Sequence, residues 1–509
     1  MAGVLKQGLQ LVVIDLRATE NSQEIFETLN ARGTPLTAAD LIKNFVFQRL
    51  DAEGADTQKV YREDWPFERS FWEHEISVGR LLMSRSSLFL NQWLTSRTAA
   101  EVSTKQTFAL FKHYVEHGTS STMSELLREI KQQADLYERW TLAASGPDRE
   151  LSCVEMCFYR MHASGVEVLK PILLWLHEPG RELPQAVIDQ VVRTVESWLV
   201  RRMLLRLSLS NMGRVVADVI RVHRSTEPEV LGKQVADYVA RLRVSTTYWP
   251  GDLEVIQALQ FENAYRRYPR ARLRMFLEAV EDDYRSRFDA GQVSRRAYPI
   301  EHLLPQRWQV HWPVDGLAAE VERDQHVHRM GNLTLITESL NSSVSNGPWL
   351  GERGKWAKLS TYDVLLMNRR VREVSQEGWD ENLIDERTTA MAGALLRTWP
   401  VPDGHVGQIL DAPVTEAADV AVKQLVAADL LTPGVELVAR GQWAGATAVV
   451  TETGLLRVGD SQFGTPSGAA KHVSGRFSNG WMFWRLPDGR RLADVRTAFR
   501  AGASNHEGG

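Results

Sequence analysis

Only two cysteines occur in 509 residues, Cys153 and Cys157 in "LSCVEMCFYRM". A spacing of four puts them on one helical face, too constrained for an ordinary disulfide, so they read as core thiols. Four-cysteine zinc chemistry is excluded by the count alone. Long apolar runs are missing as well. No stretch approaches the roughly eighteen uncharged apolar residues a membrane span requires, and "MAGVLKQGLQLVVIDLRATE" has neither the apolar core nor the cleavage site of a secretory signal. No membrane partner is expected, and a cytoplasmic location is. Charge of one sign is equally scarce: 60 Lys and Arg against 64 Asp and Glu leave −4. That balance disfavours coating by nucleic acid through net charge and directs attention to local sign. There is no low-complexity block, internal repeat or GxxxxGK[ST] phosphate loop.

The rest is ordinary for a globular chain: 43% hydrophobic, 24% charged, 19 prolines and 35 glycines. "ATENSQEIFETLNARGTPLTAADLIKNFVFQRL" carries Ile25, Phe26 and Leu29 at helical spacing, breaks at "ARGTP", and offers Thr37 or Asp40 to open a second helix. Asn30, Arg32, Asp40 and Lys43 are its polar residues, and caps and turns account for them better than a nucleotide contact does. From about 60 to 290 apolar residues recur at three and four. Near 296 the pattern changes to short strands, "YPIEHLLP" and "GNLTLIT", joined by a long connection with a helix over "GLAAEVERDQHVHRM" and followed by the polar "ESLNSSVSN". "VPDGHVGQILDAPV" reads as a linker, and beyond it alternation broken by Gly-rich turns predicts strands. The expected class is α+β: a mainly helical domain over 1–295, a ββα unit over 296–400, a linker over 401–424 and a small β-rich domain over 425–500.

In "YPIEHLLPQRW", Glu301 and His302 end the first strand before a proline. Alone, such a pair is a common coincidence. Histidine is basic enough at neutral pH to take a proton from water, provided an acceptor fixes its tautomer, for which Asn332 in "MGNLTLI" is a candidate. Phosphodiester cleavage also wants a cation on the phosphate, and hard Mg²⁺ prefers carboxylate and amide oxygens such as those of Glu301 and Asn341. A strand pair folded against a helix would bring the four to one cleft. His326 and His328, two apart, would diverge on a helix and read as surface residues. The 29 residues between His302 and Asn332 exceed a usual connection and favour a functional insertion.

"PIEHLLPQ", "HRMGNLTLITESLNSSVSN" and the following Lys355 resemble the HNH (ββα-metal) nuclease module of GmrSD-type, modification-dependent restriction enzymes. The resemblance implies His302 as general base, Asn332 orienting it, Glu301 and Asn341 holding a divalent metal (Mg²⁺, with Mn²⁺ as the alternative), and Asn346 and Lys355 as accessory residues on phosphate. "IFETLNARGTPLTAADLIKNFVF" and, more weakly, "ESWLVRRMLLR" extend it towards the N-terminus. The family's "DGQQR"-like nucleotide motif does not occur, so the expectation is a chain that begins after the NTPase core or works with a separate subunit supplying it.

Between 440 and 500 nine cations face four carboxylates, a local charge of +5. "FGTPSGAAKHVSGRFSNGWMFWRLPDGRRLADVR" resembles the RAMA domain of restriction and adenine-methylation systems, a module associated with reading DNA modification. It implies DNA contacts from Lys471, Arg476, Trp481, Trp484 and Arg485. Trp481, Phe483 and Trp484 are expected to alternate on a strand, with at least two of the three in the core. These readings converge on a metal-dependent endonuclease acting on double-stranded, modified or foreign DNA. A non-catalytic DNA-binding or assembly subunit and an RNA-cleaving toxin are the alternatives.

Overall fold

In the computed structural model, residues 36–506 are described, apart from 80, 147, 338–346, 353, 362–364, 408–419, 440–442 and 476–478. They form two compact units. The first contains the described residues up to Ser145 together with Cys153–Val192 and Asn211–Val235. The second contains Gly146–Ser152, Arg193–Ser210 and everything from Ala236 onward.

The first unit is helical. Helix α1 (Ala38–Ala52) starts where the sequence suggests: Thr37 is the N-cap, accepting from the Asp40 N–H while the Asp40 carboxylate accepts from the Thr37 N–H, a reciprocal capping box. Asp40 thus has a structural role, and Lys43 is ion-paired with Glu68 at 2.6 Å. The helix expected over residues 25–29, with Asn30 and Arg32, lies outside the described residues. An antiparallel hairpin of β1 (Glu75–Val78) and β2 (Leu81–Ser84) precedes α2 (Arg85–Thr98). The long α3 (Met123–Ala144) buries Leu126, Leu127, Ile130, Ala134 and Tyr137 along one stripe. On α4 (Cys153–Ser164) neither cysteine is in a disulfide; Cys157 is buried and Cys153 half-buried.

The second unit is built around α5 (Gln185–Leu204), which belongs to it from Arg193 on. Arg201 is buried because its guanidinium finds acceptors there: it donates to the carbonyls of Trp399 and Pro250 and pairs with Asp252 at 2.7 Å. Arg202 likewise donates to the carbonyls of Tyr248, Ser208 and Ser245. Then come α6 (Asp252–Phe261), the single turn α7 (Ala264–Arg267) and α8 (Arg270–Ser286). Strand β3 (Ile300–His302) pairs antiparallel with β4 (Leu333–Leu335), Glu301 opposite Thr334 and His302 opposite Leu333. The long connection between them holds α9 (Leu317–His326), as its apolar spacing suggests. Helices α10 (Lys355–Thr361), α11 (Leu366–Val374) and α12 (Glu381–Thr398) follow. The fully buried Glu281 carboxylate on α8 accepts the N–H groups of Leu366 and Met367 at 2.9 and 2.8 Å, satisfying the start of α11.

The C-terminal part is a five-stranded antiparallel sheet, β8–β7–β6–β5–β9, made of β5 (Glu436–Ala439), β6 (Thr447–Val450), β7 (Leu456–Val458), β8 (Ser461–Phe463) and β9 (Trp484–Arg485). Leu437, Val450, Leu456, Phe483 and Trp484 fill its core. The expected strand alternation of Trp481, Phe483 and Trp484 is not what forms. Gly480–Phe483 is one helical turn, capped by Asn479, and Gly480 lies so close to Pro466 that a Cβ there would stand 1.9 Å from its carbonyl carbon. The molecule is thus α+β and mainly helical, with small sheets. Of the expected ββα unit the two strands are paired, and the segment expected to supply its helix, 338–346, lies outside the described residues.

Candidate active site

Successive side chains on a strand point to opposite faces, so Glu301 and His302 serve different neighbours. Lys355, at the start of α10, donates from Nζ to Glu301 Oε1 at 2.7 Å and to the His302 carbonyl at 2.5 Å. Its ammonium is buried. Desolvation lowers its pKa, and the Glu301 carboxylate opposes that shift. Lys355, which the resemblance implied as an accessory residue on phosphate, is thus tied to β3 through Glu301 and the His302 carbonyl.

The His302 imidazole is 4% exposed. Its Nε2 lies 3.3 Å from His328 Nδ1, its Nδ1 lies 3.4 Å from the amide nitrogen of the exposed Gln306, and the Tyr265 ring meets it edge-on with centroids 4.2 Å apart. Burial, followed by His328, Lys355, Arg270 and Arg266, pushes its pKa down to about 3. Burial, Arg266 and Arg270 lower that of His328 to about 4. Both rings are neutral at pH 7, each with one donor and one acceptor nitrogen.

Asn332 does not orient His302. Its Oδ1 accepts the Leu304 N–H (2.7 Å) and the Trp379 indole N–H (3.0 Å), and its Nδ2 donates to the carbonyls of Leu304 and Val327 (both 2.8 Å). That exhausts the amide. Asn332 instead ties together the two ends of the long insertion, just after β3 and just before β4. The contact on the imidazole comes from His328.

His328 and His326 correct a second expectation: both are buried, not surface residues. Helix α9 ends at His326, so helical divergence does not apply beyond it. His326 faces Asp385 (3.2 Å) and the Glu322 carbonyl (2.7 Å). The sequence also gave no reason to single out Tyr265, Arg266 and Arg270. The available signal was the density of arginine and tyrosine in "AYRRYPRAR".

Asn341 and Asn346 lie outside the described residues. Among those described, no group of three or more His, Cys, Asp and Glu side chains is placed to hold a metal ion. Glu301 already shares one oxygen with an ammonium, and cations surround the imidazoles, so the described residues by themselves do not fit a divalent cation.

In the C-terminal part Trp484 is fully buried, its indole N–H donating to the Pro466 carbonyl at 3.1 Å, which removes it from the residues that can stack on a base. Trp481 is half-buried beneath the Arg496 guanidinium, 4.6 Å from its ring. Lys471 and Arg485 are exposed, and Arg485 donates to the Gly489 carbonyl. Arg476 lies outside the described residues. Core packing thus takes two of the three aromatics, Phe483 and Trp484, as the sequence suggested.

The nuclease class of this region is carried by a family match: residues 249–394 match the model of the GmrSD restriction endonucleases, C-terminal domain. Residues 411–505 match Restriction Enzyme Adenine Methylase Associated, so a region similar to the GmrSD C-terminal domain is followed by one similar to the RAMA domain, as the motifs implied. The first match starts at Trp249 and thus takes in α7 and α8 with the histidine pair. Among the curated proteins none matches the chain. No helix among the described residues is long and apolar enough to cross a membrane.

Proposed function

We propose that the chain is an HNH-type DNA endonuclease of a restriction, anti-phage system, cutting modified or foreign double-stranded DNA with His302 as general base. The observation that carries this reading is the place of His302 at the end of β3, paired in register with the "GNLTL" strand inside the region that matches the GmrSD C-terminal domain. A neutral imidazole accepts a proton from water as the water oxygen attacks phosphorus and the P–O bond to the leaving oxygen breaks. His328 fixes the Nε2 side of the ring. On the other side Gln306 is exposed and its contact is long, so a water can replace it at Nδ1. Lys355 holds Glu301 and the His302 carbonyl, keeping the strand end in place.

A divalent ion, Mg²⁺ above all, would neutralise charge on the phosphate, with Glu301 and Asn341 as its donors by resemblance; because the described residues do not assemble that set, no step here runs through it. The RAMA domain is the reader of the modification in this proposal.

The test is incubation of the full chain with Mg²⁺ or EDTA and phage DNA carrying plain or modified bases, with single-stranded RNA alongside, for wild type and His302→Ala. Cleavage of DNA that disappears in the variant is expected. Cleavage unchanged in His302→Ala would end the assignment of the base, and cleavage of RNA alone would replace DNA as substrate.

A further inference from the structure

The segment "NAYRRYPRAR", residues 263–272, has four arginines in ten positions. Two of them are engaged or withdrawn: Arg267 faces Glu262 at 3.7 Å, and Arg272 is held back by burial, which lowers its pKa. Arg266 and Arg270 are exposed and have no ion-pair partner among the described residues. The backbone that carries them is firmly seated. Ala264 and Tyr268 are buried, the Tyr268 hydroxyl donates to the Leu204 carbonyl at 2.5 Å, and the Tyr265 N–H donates to the His328 carbonyl at 3.1 Å.

The side chains form a layered stack on that backbone. The Arg270 guanidinium carbon lies 3.4 Å from the centre of the Tyr265 ring, and Tyr265 in turn lies nearly parallel to His328 (12°) and edge-on to His302. One aromatic ring therefore separates Arg270 from the imidazole pair. Lys423, another cation in the field of Arg266, is ion-paired with Asp324 and offers no free charge.

We propose that Arg266 and Arg270 form a phosphate-binding edge that seats the DNA backbone beside the His302–His328 pair. The inference rests on the nuclease reading for its ligand, and it assigns the backbone contact to two arginines that the sequence motifs did not single out. Guanidinium groups suit this role because their planar fork donates to two phosphate oxygens at once, and a rigid support limits the rotamer freedom lost on binding. Two uncompensated cations close to buried neutral rings are also an arrangement that a polyanion completes, since the phosphates offset the charges that otherwise disfavour protonation there.

The experiment compares full-length wild type, Arg266→Ala/Arg270→Ala and Arg266→Lys/Arg270→Lys. Binding to a short DNA duplex is measured by fluorescence anisotropy over a salt series, each in the His302→Ala background so that nothing is cut, and cleavage is measured with His302 intact. The alanine pair is expected to flatten the plot of log affinity against log salt by about 1 to 2, near 0.9 for each phosphate no longer neutralised, and to slow cleavage about tenfold or more. The lysine pair, which keeps the point charges, should restore the slope. A slope and cleavage rate equal to wild type in the alanine pair, with unchanged thermal unfolding, would overturn the edge while leaving the nuclease reading standing. A flattened slope in a chain that cuts no nucleic acid would keep the edge and remove the nuclease reading. A slope change seen with RNA but not with duplex DNA would overturn the proposal as stated.

Discussion

Asn332 uses both lone pairs and both N–H groups on partners that are themselves buried: one backbone amide, two carbonyls and an indole. Replacing it with alanine strands those partners without water, and leaving a buried polar group unsatisfied costs about 1–3 kcal/mol. Asn332→Ala is therefore expected to lower the unfolding free energy by at least about 3 kcal/mol in urea titration, and a loss below about 1 kcal/mol would refute the staple role. The same residue shows what local sequence carries. The sequence offered Asn332 as the acceptor that fixes the His302 tautomer, but its actual partners at 304, 327 and 379 are separated from it by up to 47 residues, so its packing role was not legible locally. His328 also escaped, because its burial depends on where α9 stops. Its neutrality has a pH consequence. The folded value of about 4 lies below the ordinary 6.5, so across that interval the unfolded chain binds more protons and stability rises with pH, complete above about 6.5 and declining as acid is added. His302, with the same sign, adds to it, and the groups facing His328 are Arg266, Arg270, His302 and Tyr265. At its steepest each histidine contributes about 1.4 kcal/mol per pH unit. Between pH 7 and 5 the stability of His328→Gln should fall less steeply than that of wild type, and parallel curves would show that His328 is not held neutral.

Elements in this protein are legible from sequence where the chain determines them nearby. The capping box of α1, the helix inside the β3–β4 connection and the two short strands all follow from residues within a turn or two of each other. They are not legible where a distant backbone decides. The start of α11 is capped by Glu281, 85 residues earlier, and "GWMFW" bends into a helical turn because Gly480 abuts Pro466. Gly331 is a third such case. A Cβ there would stand 2.0 Å from the Ile384 carbonyl oxygen and 2.8 Å from the Thr388 amide nitrogen, both backbone atoms of α12 that cannot rotate away. Its φ is not in the left-handed region, so proximity and not conformational freedom is what requires glycine. Gly331→Ala should push β4 off α12 and destabilise by about 2–3 kcal/mol, lowering Tm by several degrees. An unchanged Tm would mean that the two elements do not approach this closely.

At the scale of the whole chain, the match over 249–394 and the compact unit that contains it are different objects. The unit also takes in Arg193–Ser210 and Gly146–Ser152, which the chain reaches long before β3. Gln292 ties in the second of these by donating to the Leu151 carbonyl and accepting its N–H, at 2.9 and 3.0 Å. Arg201 ties in the first through the carbonyls of Trp399 and Pro250, and Trp399 is itself fully buried. Periodicity could not reveal this, because "ESWLVRRMLLR" reads as any amphipathic helix would and nothing in it says which part of the chain it will cover. A fragment limited to residues 236–506 loses the Arg201 and Arg202 guanidinium anchors and uncovers Trp399, so it is expected to expose apolar surface and aggregate or unfold. Near-UV circular dichroism and dye binding on that fragment, against the intact chain, check this. Within the full chain, Arg201→Ala removes the guanidinium donor from the buried Trp399 and Pro250 carbonyls and should cost about 2–4 kcal/mol, read as a shift in the urea midpoint. A fragment 236–506 that remained monomeric with native near-UV signals would show that residues 193–210 merely cover this unit and do not help to build it.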